Sequence, residues 1–150
     1  MVYNYRVDIY IIIFKESNMT RKEARELCFK LIFEYEVQKN DAESMLSYLE
    51  EDNKDLGSQK EYVETLLHKA LDNIEDIDNA IIKNTKGWQI TRLPKVTLAI
   101  LRVAICEMLY MDDIPESISI NEAVELAKIY NDEQNGKFVN GILSSVYKGK

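Results

Sequence analysis

The longest run of apolar positions lies between Pro94 and Met111, PKVTLAILRVAICEMLYM. Wound as a helix, it carries Val96, Ile100, Val103 and Leu109 on some faces and Leu98, Leu101, Ile105 and Met108 on others. A helix that is apolar all round belongs in a core. Pro94 suits a first helical position, where its missing N–H costs nothing. Burying those eight side chains at roughly 2 kcal/mol each stabilises the fold by about 16 kcal/mol, an upper bound because unfolded chains are partly compact. Arg102 and Glu107 interrupt the run, so it is no membrane span, which needs about 20 mostly apolar residues. Charges on such a helix must be paired. Five residues apart is not a same-face spacing, so each is expected to bond a different neighbour.

The rest of the chain alternates amphipathic stretches with short polar turns. Ala24, Leu27, Cys28, Leu31 and Tyr35 share a face and predict a helix from about Arg21 to Val37, opened by a Thr20–Glu23 capping box. Asn40 or Asp41 caps a short helix through Met45, Leu46 and Leu49, and the acidic run Glu50 to Asp55 reads as a solvated loop closing at Gly57. Ser58 and Glu61 form a second capping box for a helix carrying Tyr62, Val63, Leu66, Leu67, Ala70 and Ile74. His68, the one histidine, has no catalytic partner in the pattern. A fourth helix, Asp76 to about Thr85, buries Ile77, Ile81 and Ile82 and stops at Gly87. Trp88 and Arg92 lie in the link to the central helix, which Asp112 to Pro115 ends. Ser119 and Glu122 form a third box, heading a helix with Ala123, Val124, Ala127 and Tyr130. Asn131 to Gly136 reads as a polar turn, and Lys137 to Tyr147 as the last helix, with Phe138, Ile142, Leu143 and Val146 inward. No convincing strand follows residue 18, so the class is all-α.

Residues 1–18 differ in kind. Tyr10 to Phe14 is a β-branched and aromatic run too short to span a membrane, and no small-residue cleavage site marks a signal peptide. The capping box just after Met19 suggests that the domain covers residues 19–150, with 1–18 an extension outside it and Met19 the true start.

At 150 residues the chain is long enough for one domain with a proper core. Apolar residues at 46% and charged residues at 30% exclude a disordered chain, and 5 Gly with 2 Pro favour helices. The net charge of −7 repels nucleic acid at long range, so any RNA or DNA binding needs a local basic patch. Cys28 and Cys106 stand alone, without CxxC or a His/Cys cluster, and read as buried reduced thiols rather than a zinc or redox site. There is no Gly-rich phosphate loop, GxSxG or HExxH. The pattern predicts no enzyme, no cofactor and no metal.

One cluster invites a chemical reading. Arg21, Lys22 and Arg25 crowd the first turn of the first helix, where the macrodipole favours anions. They form either a solvated face or a phosphate-binding cluster. Phe29 and Phe33, four apart, are either core or a base-stacking platform.

The stretch Ile118 to Leu143, with its INEAVELAK run at Ile120–Lys128 and KFVNGIL run at Lys137–Leu143, strongly resembles the NusB family of transcription antitermination factors. Ile100, Leu101, Arg102, Ala104 and Glu107, then Trp88 and Arg92, and at the front Arg25, Phe33 and Glu36, extend the likeness from Met19 to about Tyr147. The resemblance implies a bundle of about seven helices in two small helical subdomains around the central apolar helix. It implies no catalysis. The implied partners are a single-stranded boxA-type RNA, a small-subunit ribosomal protein acting as NusE, and the RNA polymerase antitermination complex that supports ribosomal RNA transcription. A cytoplasmic monomer or weak homodimer is expected, with no membrane. Carried over, the RNA-facing positions are Arg21, Lys22, Arg25 and Phe33 on the first helix, and Gln134, Lys137 and Phe138 at the turn before the last. The alternatives are a protein-interaction bundle, or an accessory domain of an RNA methyltransferase system, with little RNA binding of its own.

Overall fold

The computed structural model describes residues 19–39, 41–51, 56–87 and 89–150. The expected extension over residues 1–18, Asn40 as a cap, the acidic loop between 52 and 55, and Trp88 lie outside the described residues. Among the described residues the fold is all helical. Seven α-helices follow one another: α1 Arg21–Gln38, α2 Ala42–Glu51, α3 Lys60–Asp72, α4 Ile74–Lys83, α5 Lys95–Tyr110, α6 Glu116–Tyr130 and α7 Glu133–Lys148. Short 3-10 turns at Gly57–Gln59 and Ile90–Arg92 lead into α3 and α5.

Helix α5 is the axis. Every residue from Thr97 to Met108 is buried, as an all-round apolar helix requires. It packs against α1, α3, α4, α6 and α7. Helices α1, α2 and α3 form one group beside it; α6 and α7 pair as a hairpin, and α4 bridges α3 and α7. Both groups share one hydrophobic cluster, in which Leu27, Ile32, Leu66, Leu67, Ile77, Ile81 and Leu143 stand around Ile100, Leu101 and Ile105.

The two charges on α5 are paired, each with a different set of neighbours. Arg102 makes a bidentate contact to Asp78 on α4, Nε to Oδ1 at 2.9 Å and Nη2 to Oδ2 at 2.8 Å, while its Nη1 donates to Glu36 on α1 at 2.8 Å. Such a fork-to-carboxylate geometry is the strong form of ion pair. Burial alone would raise the Glu36 pKa, but hydrogen bonds from Arg102 and Lys39 hold it below the usual carboxylate value. Glu107 is 1% exposed and accepts three bonds: from Arg25 Nε at 2.8 Å, from Ser119 Oγ at 2.6 Å and from the Tyr62 hydroxyl. That carboxylate ties α1, α3 and α6 to α5.

Two local cap readings hold, and several others are corrected. The Thr20–Glu23 box is present with both bonds, Thr20 Oγ1 accepting from the Glu23 N–H at 3.1 Å and Glu23 Oε1 accepting from the Thr20 N–H at 2.8 Å. Asp41 caps α2 by accepting from the Ser44 N–H at 2.8 Å, and the helix runs on through Glu51. Ser58 and Glu61 make no box: Ser58 lies in the 3-10 turn and α3 starts at Lys60 with no side-chain cap. Ser119 and Glu122 make none either, because α6 starts three residues earlier, after Pro115. Ser119 is buried and bonded to Glu107 instead. Pro94 stands just before α5, at φ −55° and ψ 141°, rather than inside its first turn. The supposed turn Asn131–Gly136 is mostly helix: Asp132 accepts from the Asn135 N–H at 2.7 Å and starts α7 at Glu133. Gly136 lies where α6 passes close by; a Cβ on it would sit 3.1 Å from Lys128 Cγ.

Candidate nucleic-acid interface

The residues predicted at α7 come together in a groove. Gln134, Lys137 and Phe138, on the first turns of α7, line a hollow of about 600 Å³ with Arg92, Leu93 and Pro94 from the link before α5 and Asn131, Asp132 and Asn135 from the α6–α7 connection. Gln134 and Lys137 are exposed; Phe138 is half-buried, one edge against the core. A second cleft of about 390 Å³ continues past Arg92 to Lys86, Gly87 and Gln89. The link turns there through two residues of positive φ, Lys86 at 55° and Gly87 at 95°; glycine adopts the second without strain. The groove and the cleft beside it therefore offer three cations, Arg92 and Lys137 in the groove and Lys86 in the cleft, against one carboxylate, Asp132, beside an aromatic ring and several amides. In a protein of net charge −7 that is a local basic patch.

The α1 candidates do not line this groove. Arg21 lines a separate cleft of about 340 Å³ with Ser58, Glu61, Tyr62, Thr65, Met111 and Asp113. Its Nε donates to Gln59 Oε1 at 2.7 Å, and its guanidinium lies 4.2 Å from the centre of the Tyr62 ring, within cation–π reach. Lys22 keeps 65% of its side chain exposed and pairs with Glu122 on α6 at 3.2 Å. Arg25 departs from expectation. It is 4% exposed, turned inward onto Glu107, with Glu122 at 3.8 Å behind it. Burial opposes its charge, but Tyr62, Glu107 and Glu122 outweigh burial and raise its pKa, so it is a buried structural cation and not a surface one. Phe33 is half-buried and packs on the core. Phe29 is core: 3% exposed, its ring 5.0 Å from that of Tyr130.

Sequence reasoning left Lys86, Gln89, Asn131 and Asn135 out of the site. They are ordinary loop and turn residues by type, and only the packing of the α4–α5 link against the head of α7 makes them neighbours. The buried thiols match their reading. Burial raises both pKa values, that of Cys106 to about 12, with Glu107 adding to the effect, so neither is a thiolate at neutral pH. Among the described residues no helix is long and apolar enough to cross a membrane.

Comparison with known proteins agrees with this architecture. The family model described as the NusB family matches residues 22–148. The transcription antitermination protein NusB of Acetivibrio thermocellus is 45% identical over 132 residues, 88% of this chain and 91% of the relative. A solved NusB structure from T. maritima superposes with a TM-score of 0.76 at 34% identity, over 87% of this chain and 92% of that one. A structure of the antitermination factors NusB and NusE in complex with dsRNA does so with a TM-score of 0.76 at 32% identity, over 87% of this chain and 97% of that one. With a match along nearly all of its helical length, and with the Glu107 and Arg102 networks holding those helices in one fold, the chain belongs to the NusB family of antitermination factors.

Proposed function

We propose that this protein is a non-catalytic, cytoplasmic transcription antitermination factor that holds a single-stranded boxA-type RNA together with a small-subunit ribosomal protein in the role of NusE. The observation that carries the reading is the α7 groove, where Arg92 and Lys137 stand beside Phe138 in a concave site. Cations that track phosphates next to a ring on which a base can stack are the parts a single-strand site needs. Lys22 and Arg21 at the head of α1 supply further positive charge along the RNA path. Arg25 contributes by holding α1 in place. Phe33, half-buried, is a secondary stacking candidate after Phe138.

The acidic protein gains nothing from long-range steering, so a few short-range contacts must supply the affinity. The ribosomal partner then tightens binding by adding its own basic surface. The test is an anisotropy titration of boxA-type RNA with and without that partner, for wild type, Lys137→Ala and Arg92→Ala. Both variants are expected to bind more weakly. Unchanged affinity in both would remove the groove from the RNA path and leave a bundle that acts through protein contacts.

A further inference from the structure

The groove contains one amide whose orientation is set from inside the protein. Thr97, on the first turn of α5, is fully buried, and its hydroxyl donates to Asn135 Oδ1 at 3.0 Å. Asn135 itself is half-buried, lines the groove, and sits in the first turn of α7 with its backbone N–H held by Asp132. An asparagine amide carries one acceptor oxygen and one donor NH2. With the oxygen taken up by a buried hydroxyl, the NH2 is the end left for the groove, and no described residue accepts from it.

We infer that Asn135, fixed by Thr97, is a specificity-determining residue that donates a hydrogen bond to a base in the groove and selects a keto base, uracil or guanine, over its amino counterpart. This rests on the proposed RNA-binding function of the same groove. Uracil and cytosine differ where O4 replaces N4, and guanine and adenine where O6 replaces N6. The NH2 end of the amide, turned to the groove, bonds the oxygen and faces a second donor when the amino group is present. A free asparagine could rotate its amide and accept from that amino group; in Asn135 the same rotation would turn the NH2 onto Thr97 Oγ1 and leave the proton of that buried hydroxyl without its acceptor, which opposes the flip. Phe138 in the same groove gives a base a face to stack on, and Arg92 and Lys137 fix the backbone, so the base edge meets the amide in one register.

The experiment is a titration of boxA-type RNA, partner present, in which each uracil is changed to cytosine and each guanine to adenine in turn. It is run for wild type, Asn135→Ala, Thr97→Val and Lys137→Ala, with circular dichroism confirming that each variant is folded. Wild type is expected to show one position at which the keto-to-amino change weakens binding by roughly fivefold. Asn135→Ala should lose the discrimination at that position and keep the wild-type salt slope, because no charge is removed. Thr97→Val, which frees the amide to turn, should shrink the discrimination with Asn135 still in place. If Lys137→Ala weakens binding while Asn135→Ala keeps the wild-type preference at every position, the selective role of Asn135 is overturned and the groove survives. If the RNA does not bind, or Lys137→Ala binds as wild type does, the groove reading falls and the inference with it.

Discussion

Glu107→Ala tests the centre of the fold. The carboxylate is fully enclosed and accepts from Arg25, Tyr62 and Ser119. Removing it leaves a guanidinium with 5% of its side chain exposed and two hydroxyls without their acceptor. Breaking a buried ion pair by deleting one partner costs about 3–5 kcal/mol, and an orphaned buried hydroxyl about 1–3 kcal/mol. These do not add in full, because the groups can rebond to one another, and Glu122 stands 3.8 Å from Arg25 to take up part of its charge. The expected loss is therefore about 3–4 kcal/mol, a large part of the 5–15 kcal/mol that holds an ordinary domain. For a chain of this length that corresponds to a melting temperature lower by roughly 6–16 °C. Urea unfolding followed by circular dichroism measures it, and a cycle with Arg25→Ala isolates the pair. A coupling energy of about 0.5–3 kcal/mol is expected from residues in direct contact. A loss below about 1 kcal/mol, or strict additivity of the two variants, would refute the argument that this network anchors α1 and α6 to α5.

Other outcomes follow from the same structure. Because Glu36 has its pKa lowered by Arg102 and Lys39, its contribution is present above the unfolded carboxylate value, about 4.3, and is lost as pH falls through the folded one. The stability gap between wild type and Glu36→Gln should be constant near neutral pH and close below about pH 4, and a gap that widened on acidification would contradict the assignment. Lys137→Ala should flatten the log–log salt dependence of RNA binding by about 0.7, the share of one phosphate on a single strand. A chain started at Met19, whose first helix carries its own two-bond cap, is expected to melt with the full-length protein; an earlier melt would make residues 1–18 part of the domain.

Much of the fold was legible because hydrophobic periodicity is a local property. The burial of α5, the inward faces of α1, α3 and α7, and the pairing of Arg102 and Glu107 each follow from side-chain type and spacing. The Thr20 box was legible too, since both of its bonds lie within one turn. Ser119 and Glu122 have the same spacing and the same residue types, yet Ser119 is drawn to Glu107, and Glu122 faces Lys22 and Arg25. Locally, only Pro115 separates the two cases, by starting α6 early enough to place Ser119 inside the helix; the partners that Ser119 and Glu122 then find are on other helices. Arg25 makes the point most sharply. Beside Arg21 and Lys22 it reads as one more cation on a basic turn, and only Glu107, 82 residues further along the chain, turns it inward. The groove is partly of the same kind: Gln134, Lys137 and Phe138 were indicated by the family likeness, but Lys86, Gln89 and Asn135 are unremarkable in sequence, and the Thr97–Asn135 bond spans 38 residues. Sequence by itself determined most of the buried faces, since burial depends on each residue's own transfer free energy; Ile82, expected inward on α4, is instead 43% exposed because no helix packs on its side. Which polar groups would meet was decided only when packing brought distant helices within a few ångströms, because hydrogen bonds and ion pairs act only at contact.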